Sequence, residues 1–334
     1  MRAMVLESFG APLQLRELPD PVPGPGEALV RVQACGVCAS DLKLVSGALA
    51  GTPLPHVPGH EIAGVVAALG PGVSSPRVGE RVACYFYLSC GQCRNCRAGR
   101  GTVCLASAGR IGFELDGGLA ELVRVPAALC LPVPEAVIPE AAAVAMDAIA
   151  TPYHALVTRG RLAAAETVAI VGVGGLGLHG VELAHCAGAQ VIAIDVAEER
   201  LALARELGAD LTVRAGSAQW PAPSLVADLV LDTAVSSQTL AGDLALLRPG
   251  GRLVLVGYKP GLTAGWDTAA LVLNEITVLP ARAAGRDECE RVLDLLARRC
   301  IRAVIDRRYE LQAANQAFEA LRGGALNGRA VVAA

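Results

Sequence analysis

Residues Val168 to Ala184 run VAIVGVGGLGLHGVELA. The stretch opens on a continuous apolar run, TVAIVG with Thr167 included, which suits a strand buried on both faces. Gly172, Gly174 and Gly177 then fall in the pattern G-x-G-x-x-G, with Gly175 and Leu176 filling the loop. A match of this kind is weak alone, because a glycine-rich surface turn also produces it. Here a strand precedes it, a helix opens on it, and a second strand, QVIAID, ends in Asp195. That is the context a dinucleotide-binding βαβ unit requires. Gly172 permits the tight turn, Gly174 lets the backbone approach a pyrophosphate at the helix N-terminus, and Gly177 lets the helix pack on the strand. Asp195 would accept hydrogen bonds from the adenosine ribose hydroxyls and repel a 2′-phosphate, which favours NAD over NADP. Arg200, five residues on, joins the candidate cofactor residues.

Outward from this motif the rhythm continues. DLVLD and RLVLVG repeat the strand theme, with helical AEERLALARELG and SSQTLAGDLALLRPG between strands. Alternating strands and helices predict an α/β domain with a doubly wound parallel sheet, of the Rossmann kind, over 149–285. Residues 1–148 differ. They are rich in Gly and Pro, and short apolar runs such as EALVRVQAC, EIAGVVAALG and GERVACYF are separated by turns, the pattern of a β-rich domain. After about 285 come two amphipathic helices, DECERVLDLLARR and LQAANQAFEALR, and a last strand, RAVVA. The second domain therefore comprises 1–148 and 286–334.

Composition bounds the function. The chain has 334 residues and a net charge of −3, so no basic field invites nucleic acid or an anionic membrane. Charges interrupt every apolar stretch before about 18 residues, and the N-terminal MRAMVLESFG lacks the apolar core of a signal peptide. A cytoplasmic enzyme is expected. Eleven cysteines, an odd count, argue against a disulfide framework. Lysine occurs only at 43 and 259, while Arg supplies the other cations.

Four cysteines cluster. In CGQCRNCRAGRGTVC, Cys90, Cys93, Cys96 and Cys104 have the spacing C-x2-C-x2-C-x7-C. Four thiolates so spaced suit tetrahedral zinc in a closed structural site, with an iron–sulfur cluster as the competing occupant. Arg94, Arg97 and Arg100 are interleaved and could offset the negative charge.

A second cysteine pair, Cys35 and Cys38, stands in ACGVCASDLK. A redox dithiol and half of a metal site are both open to such a spacing. HVPGHEIAG then supplies His60 and Glu61. Taken in order, CGVCASD, GHEIAG, the four-cysteine lobe and GVGGLG resemble zinc-dependent medium-chain alcohol dehydrogenases, along essentially the whole chain. The resemblance implies a GroES-like catalytic domain beside the Rossmann domain, NAD, one catalytic and one structural zinc per subunit, and a homodimer or homotetramer.

It also implies site roles. Cys38 is the first catalytic ligand and His60 the second, which leaves Cys35 as a small packed side chain. Many relatives place a Cys six residues before the Tyr of Y-x-A-L. Here YHAL starts at Tyr153, and Asp147 stands at that place, as in some bacterial secondary-alcohol dehydrogenases. The resemblance thus implies Asp147 as the third ligand, the alternative being a helix or loop carboxylate away from metal. Glu61 is a fourth ligand or one that exchanges with water. Ser40 matches the proton-relay hydroxyl, and Asp41 a carboxylate that orients His60. Lys43 stands where many relatives have a relay His. It is an outer relay, a neighbour of the cofactor ribose, or a solvated lysine. Phe86 occupies a place that lines the substrate pocket in relatives. Arg329 resembles an Arg that pairs with the cofactor pyrophosphate. His154 has no ligand spacing and reads as a packed residue.

The expected activity is hydride transfer between an alcohol, secondary by the Asp147 resemblance, and NAD, with zinc as Lewis acid. A polyol dehydrogenase, a zinc-free quinone or enone reductase on the same fold, and a dinucleotide-binding protein without catalysis are the rivals.

Overall fold

The computed structural model describes residues 1–49, 51–217 and 226–334. It divides into two units, Met1–Ala148 with Gly285–Ala334, and Ile149–Ala284. The chain re-enters the first unit at Gly285, where a glycine in extended conformation caps the helix Arg286–Ala297.

In the second unit the apolar runs become six parallel strands. Their order across the sheet is Leu211–Arg214, Gln190–Asp195, Thr167–Val171, Ala227–Asp232, Leu247–Leu255, Thr277–Pro280. Numbered along this unit, that is 3-2-1-4-5-6, the dinucleotide-binding order. Val168 to Val171 are buried without alternation, as a strand covered on both faces must be. Ala169, Val171, Ile194, Val230 and Leu253 share one packed cluster. The order reverses between Thr167–Val171 and Ala227–Asp232, and loops at the C-terminal ends of those two strands flank the crevice such sheets use for ligands.

The first unit is built on one long strand, Glu27–Val37. Glu61–Leu69 pairs along one edge of it; Leu122–Pro126 and the C-terminal Arg329–Ala333 share the other. All of these pairs are antiparallel, and Arg81–Cys84, then Cys130–Pro132, extend the sheet. Register does the positioning. Gly36 lies opposite Glu61, and Ala330 opposite Val37, so Glu61, Arg329 and the chain leaving the strand at Cys38 meet at one end. A Cβ on Gly36 would fall 1.9 Å from Glu61 Oε2, so only glycine leaves room for that carboxylate.

Two helical segments complete the site. Cys38, extended at φ −116°, caps the helix Ala39–Val45. The helix Pro139–Val144 starts with Pro in its first turn and packs an alanine-rich face on the sheet. It runs on into a π-helical turn, Ala145–Ile149, which carries Asp147. Turns of this kind recur at functional sites because the extra residue re-aims a side chain. Among the described residues no helix is long and apolar enough to cross a membrane.

Candidate active site

One metal-competent group lies wholly in the first unit. Cys38, His60, Glu61 and Asp147 are all buried, and each offers a ligand atom within 4.8 Å of the others. Cys38 Sγ is 3.4 Å from Asp147 Oδ2, and His60 Nε2 is 3.5 Å from the same oxygen. Donors bound at 2.0–2.3 Å to a tetrahedral ion stand ~3.3–3.8 Å apart, so thiolate, imidazole and carboxylate fit one zinc. Asp41 fixes two of these ligands together. Its Oδ2 accepts from the Cys38 backbone N–H at 2.7 Å, and its Oδ1 lies 3.1 Å from His60 Nδ1. The carboxylate thus sets the imidazole tautomer that turns Nε2 towards the metal position.

Electrostatics at this group follow from burial and crowding. Burial alone would push His60 down, but Asp41, Asp147 and Cys38 around it hold its proton well above the ordinary range. Burial pushes Glu61 up to about 7, against the pull of Arg329. Arg329 is itself buried. Its Nε donates to Glu61 Oε1 at 3.0 Å and its Nη2 to Asp147 Oδ2 at 3.2 Å. The sequence reading gave Arg329 a pyrophosphate partner; in the structure its guanidinium ties two carboxylates of the metal group together.

The other residues of this unit fall around that centre. Phe86 is buried with its ring edge-on to His60, centroids 5.0 Å apart. Phe113 lies 4.8 Å from His60 on a second side and was missed from sequence, where no motif marks it. Ser40 is partly buried in the first turn of the helix that Cys38 caps. Lys43 is partly buried too, and burial lowers its pKa while Cys38 opposes the shift. Cys35 is fully buried with its thiol pushed well up, the state of an inert packed cysteine rather than a redox nucleophile.

The four-cysteine lobe folds as a separate knuckle. Its sulfurs stand 3.4 Å (Cys90–Cys104), 3.5 Å (Cys93–Cys96) and 3.9 Å (Cys90–Cys96, Cys93–Cys104) apart. Four Zn–S bonds of 2.3 Å in a tetrahedron put sulfurs ~3.8 Å apart. An iron–sulfur cluster interposes several atoms between its thiolates and does not fit this spacing. Backbone N–H groups of Cys90, Cys93, Cys96 and Ala106 point at the sulfurs from 3.3–3.5 Å, which favours thiolates.

The second unit holds the glycine-rich loop. Gly172 has φ +84°, and a Cβ on Gly177 would sit 2.0 Å from the Gly172 carbonyl oxygen. A Cβ on Gly174 would meet nothing within 4 Å, the open backbone a pyrophosphate needs. Leu176 precedes the helix Gly177–Cys186, and His179 within it donates from Nδ1 to the Gly175 carbonyl at 2.8 Å. Asp195 is buried at its strand's end, accepting from the Ala197 N–H at 3.0 Å, with Arg200 Nη1 3.6 Å from Oδ1. His154 is buried in a π-helical turn of this unit.

Metal-assisted hydride transfer requires both kinds of site in one chain. The class the fold and site define is a metal-dependent dinucleotide oxidoreductase. Residues 24–135 match the alcohol dehydrogenase GroES-like domain and residues 175–298 the zinc-binding dehydrogenase domain. The chain belongs to the zinc-dependent medium-chain alcohol dehydrogenase family. It is 36% identical to an alcohol dehydrogenase of Geobacillus stearothermophilus over 340 residues, 99% of each chain. Among solved structures it resembles an NAD-dependent alcohol dehydrogenase with TM-score 0.94, 28% identity and 100% of each chain covered. It also resembles a cobalt- and zinc-bound thermostable alcohol dehydrogenase from Pyrobaculum aerophilum, with TM-score 0.91, 32% identity, and 100% of this chain and 99% of that one covered.

Proposed function

We propose that this chain is an NAD-dependent zinc alcohol dehydrogenase acting on secondary alcohols and the corresponding ketones, with two zinc ions per subunit. The convergence of Cys38, His60 and Asp147 within tetrahedral distances carries the reading. Zinc held there supplies Lewis acidity to an alcohol oxygen, and the dinucleotide supplies the hydride acceptor.

The chain's own residues do the rest. Asp41 keeps His60 oriented. The Ser40 hydroxyl, which both accepts and donates, takes the alcohol proton and passes it outward. Lys43, one helical turn on and with its pKa lowered by burial, is the outer relay. Glu61 stands by as a fourth ligand that exchanges with water, restrained by Arg329. Phe86 and Phe113 give the pocket an apolar wall, which suits an alkyl or aryl alcohol better than a polyol. A zinc-free quinone or enone reductase needs none of these ligands. In the second unit Gly172–Gly177, Asp195 and Arg200 bind NAD, and Asp195 sets the preference over NADP.

Self-association is part of this reading. The strand Thr277–Pro280 ends its sheet, and the helix Thr268–Leu273 before it buries no residue and exposes Val272 (72%) and Leu273 (81%). An apolar patch beside an open sheet edge supports a homodimer or homotetramer. Eleven cysteines with no disulfide among the described residues agree with a reducing, cytoplasmic setting.

The deciding experiment is metal analysis of the purified protein with kinetics on primary, secondary, cyclic and polyol substrates, using NAD and NADP. Two zinc ions per chain and the highest kcat/KM with a secondary alcohol and NAD are expected. One metal per chain with undiminished turnover, or a preference for polyols, would overturn the reading.

A further inference from the structure

The strand Ala227–Asp232 ends at the reversal point of the parallel sheet, and Asp232 organises the turn that leaves it. Its carboxylate accepts from the N–H of Ala234 at 2.8 Å, the N–H of Val235 at 2.9 Å and the Thr239 hydroxyl at 2.8 Å. Val235 needs that hold, since it is β-branched yet has φ +39°. The same turn abuts the glycine-rich loop. Thr233 Oγ1 donates to the Gly172 carbonyl at 2.5 Å, and a Cβ on Gly172 would meet Ala234 Cβ at 2.8 Å. Any movement of residues 233–235 is therefore felt by the backbone at Gly172.

Asp243 is the last residue of the helix Ser237–Asp243. It is 0% exposed, and among the described residues no donor group reaches either of its oxygens; its neighbour is another carboxylate. The charged group it faces is Asp232, also 0% exposed. The helix and the turn Leu244–Leu246 bring no other charge. On the following strand, Arg248 pairs with Asp228 and Arg252 with Glu166 at 2.7 Å. Asp267 caps the Ala269 N–H at 2.9 Å, and Trp266 donates to the Leu240 carbonyl at 2.7 Å. Beyond that strand, Tyr258 is half exposed.

We propose that Asp243 is a positioning residue for the dinucleotide site: its buried carboxyl backs Asp232, whose oxygens hold the 233–235 turn against Gly172. Two adjacent buried carboxylates cannot both ionise cheaply. Asp232 has the three donors, so the proton belongs to Asp243. Burial first, and Asp232 second, push Asp243 up to about 9. The assignment rests on reading Gly172–Gly177 as the dinucleotide loop.

Proton linkage gives the direction of the pH effect. The tight turn holds a proton that a loosened, solvated turn releases, so the tight turn is favoured at low pH and loses ground as pH rises through about 9. The test is NADH binding to the full-length, zinc-loaded protein, monitored by nucleotide fluorescence from pH 6.5 to 10. The unaltered protein is expected to lose about tenfold in affinity between pH 8 and 10, the effect of one pKa unit. Asp243→Asn offers an amide donor to Asp232 without a titratable proton. It should bind NADH within about twofold at pH 7 and keep that affinity to pH 10. Asp243→Leu should raise KM for NAD about tenfold while kcat at saturating NAD changes little. Unchanged affinity of the unaltered protein to pH 10, or the same alkaline loss in Asp243→Asn, overturns the assignment whether or not Asp243→Leu folds. Failure of the unaltered protein to bind NADH at pH 7 would instead remove the dinucleotide reading itself.

Discussion

Asp41 shows how much one side chain decides. One oxygen holds the backbone of Cys38 and the other the imidazole of His60. Asp41→Asn keeps the shape but loses the charge, and should lower catalytic zinc affinity and kcat/KM by about 10–100-fold while the four-thiolate zinc stays bound. Asp147→Ala removes a ligand and leaves Arg329 with Glu61 alone; metal analysis should then find only the lobe's zinc. His60 imposes a pH dependence on binding at the same centre. Its proton is held well above the ordinary range by Asp41, Asp147 and Cys38, and a binding zinc would have to displace it. Catalytic zinc affinity is therefore expected to fall as pH falls, and competition with a chelator at pH 6 and pH 8 would show it. An affinity independent of pH would contradict the convergence of acidic groups on this histidine.

At the scale of elements, strand register and loop closure do the work. Glu61 occupies the space above Gly36 because the two residues are paired across adjacent strands. Gly36→Ala should cost about 1–3 kcal/mol in stability and displace Glu61 from Arg329, measurable by denaturant unfolding. The cysteine lobe closes on itself within fifteen residues, so its metal is a local matter. Cys93→Ser should lower Tm and remove one zinc per chain while the catalytic zinc remains. This lobe was legible in the sequence for the same reason: four ligands within one short loop reach one ion whatever the rest of the fold does. The glycine-rich loop was legible likewise, since strand, turn and helix are contiguous. Phe113 was not. It reaches His60 from fifty-three residues away in the chain, along a loop with no periodic signal.

Over the whole molecule, the candidate groups are divided between two units, one carrying the two metal-competent clusters and one the glycine-rich loop. On the proposal that Asp195 selects NAD, Asp195→Ser should shift the NADP-to-NAD ratio of kcat/KM upward by about tenfold or more without changing zinc content. The amino-acid sequence by itself determined the Rossmann domain, the β-rich domain and the four-thiolate knuckle, because each rests on short-range periodicity or on contiguous ligand spacing; Cys38 and His60, 22 residues apart, were candidates only through the family resemblance. Tertiary structure alone decided what brackets the metal group and what braces the dinucleotide loop. Arg329 reaches Glu61 across 268 positions and Asp147 across 182, and Asp243 meets Asp232 only after a helix turns back on the sheet. Pairings of that kind are set by strand register and by which charges burial forces together, and neither leaves a local pattern in the chain.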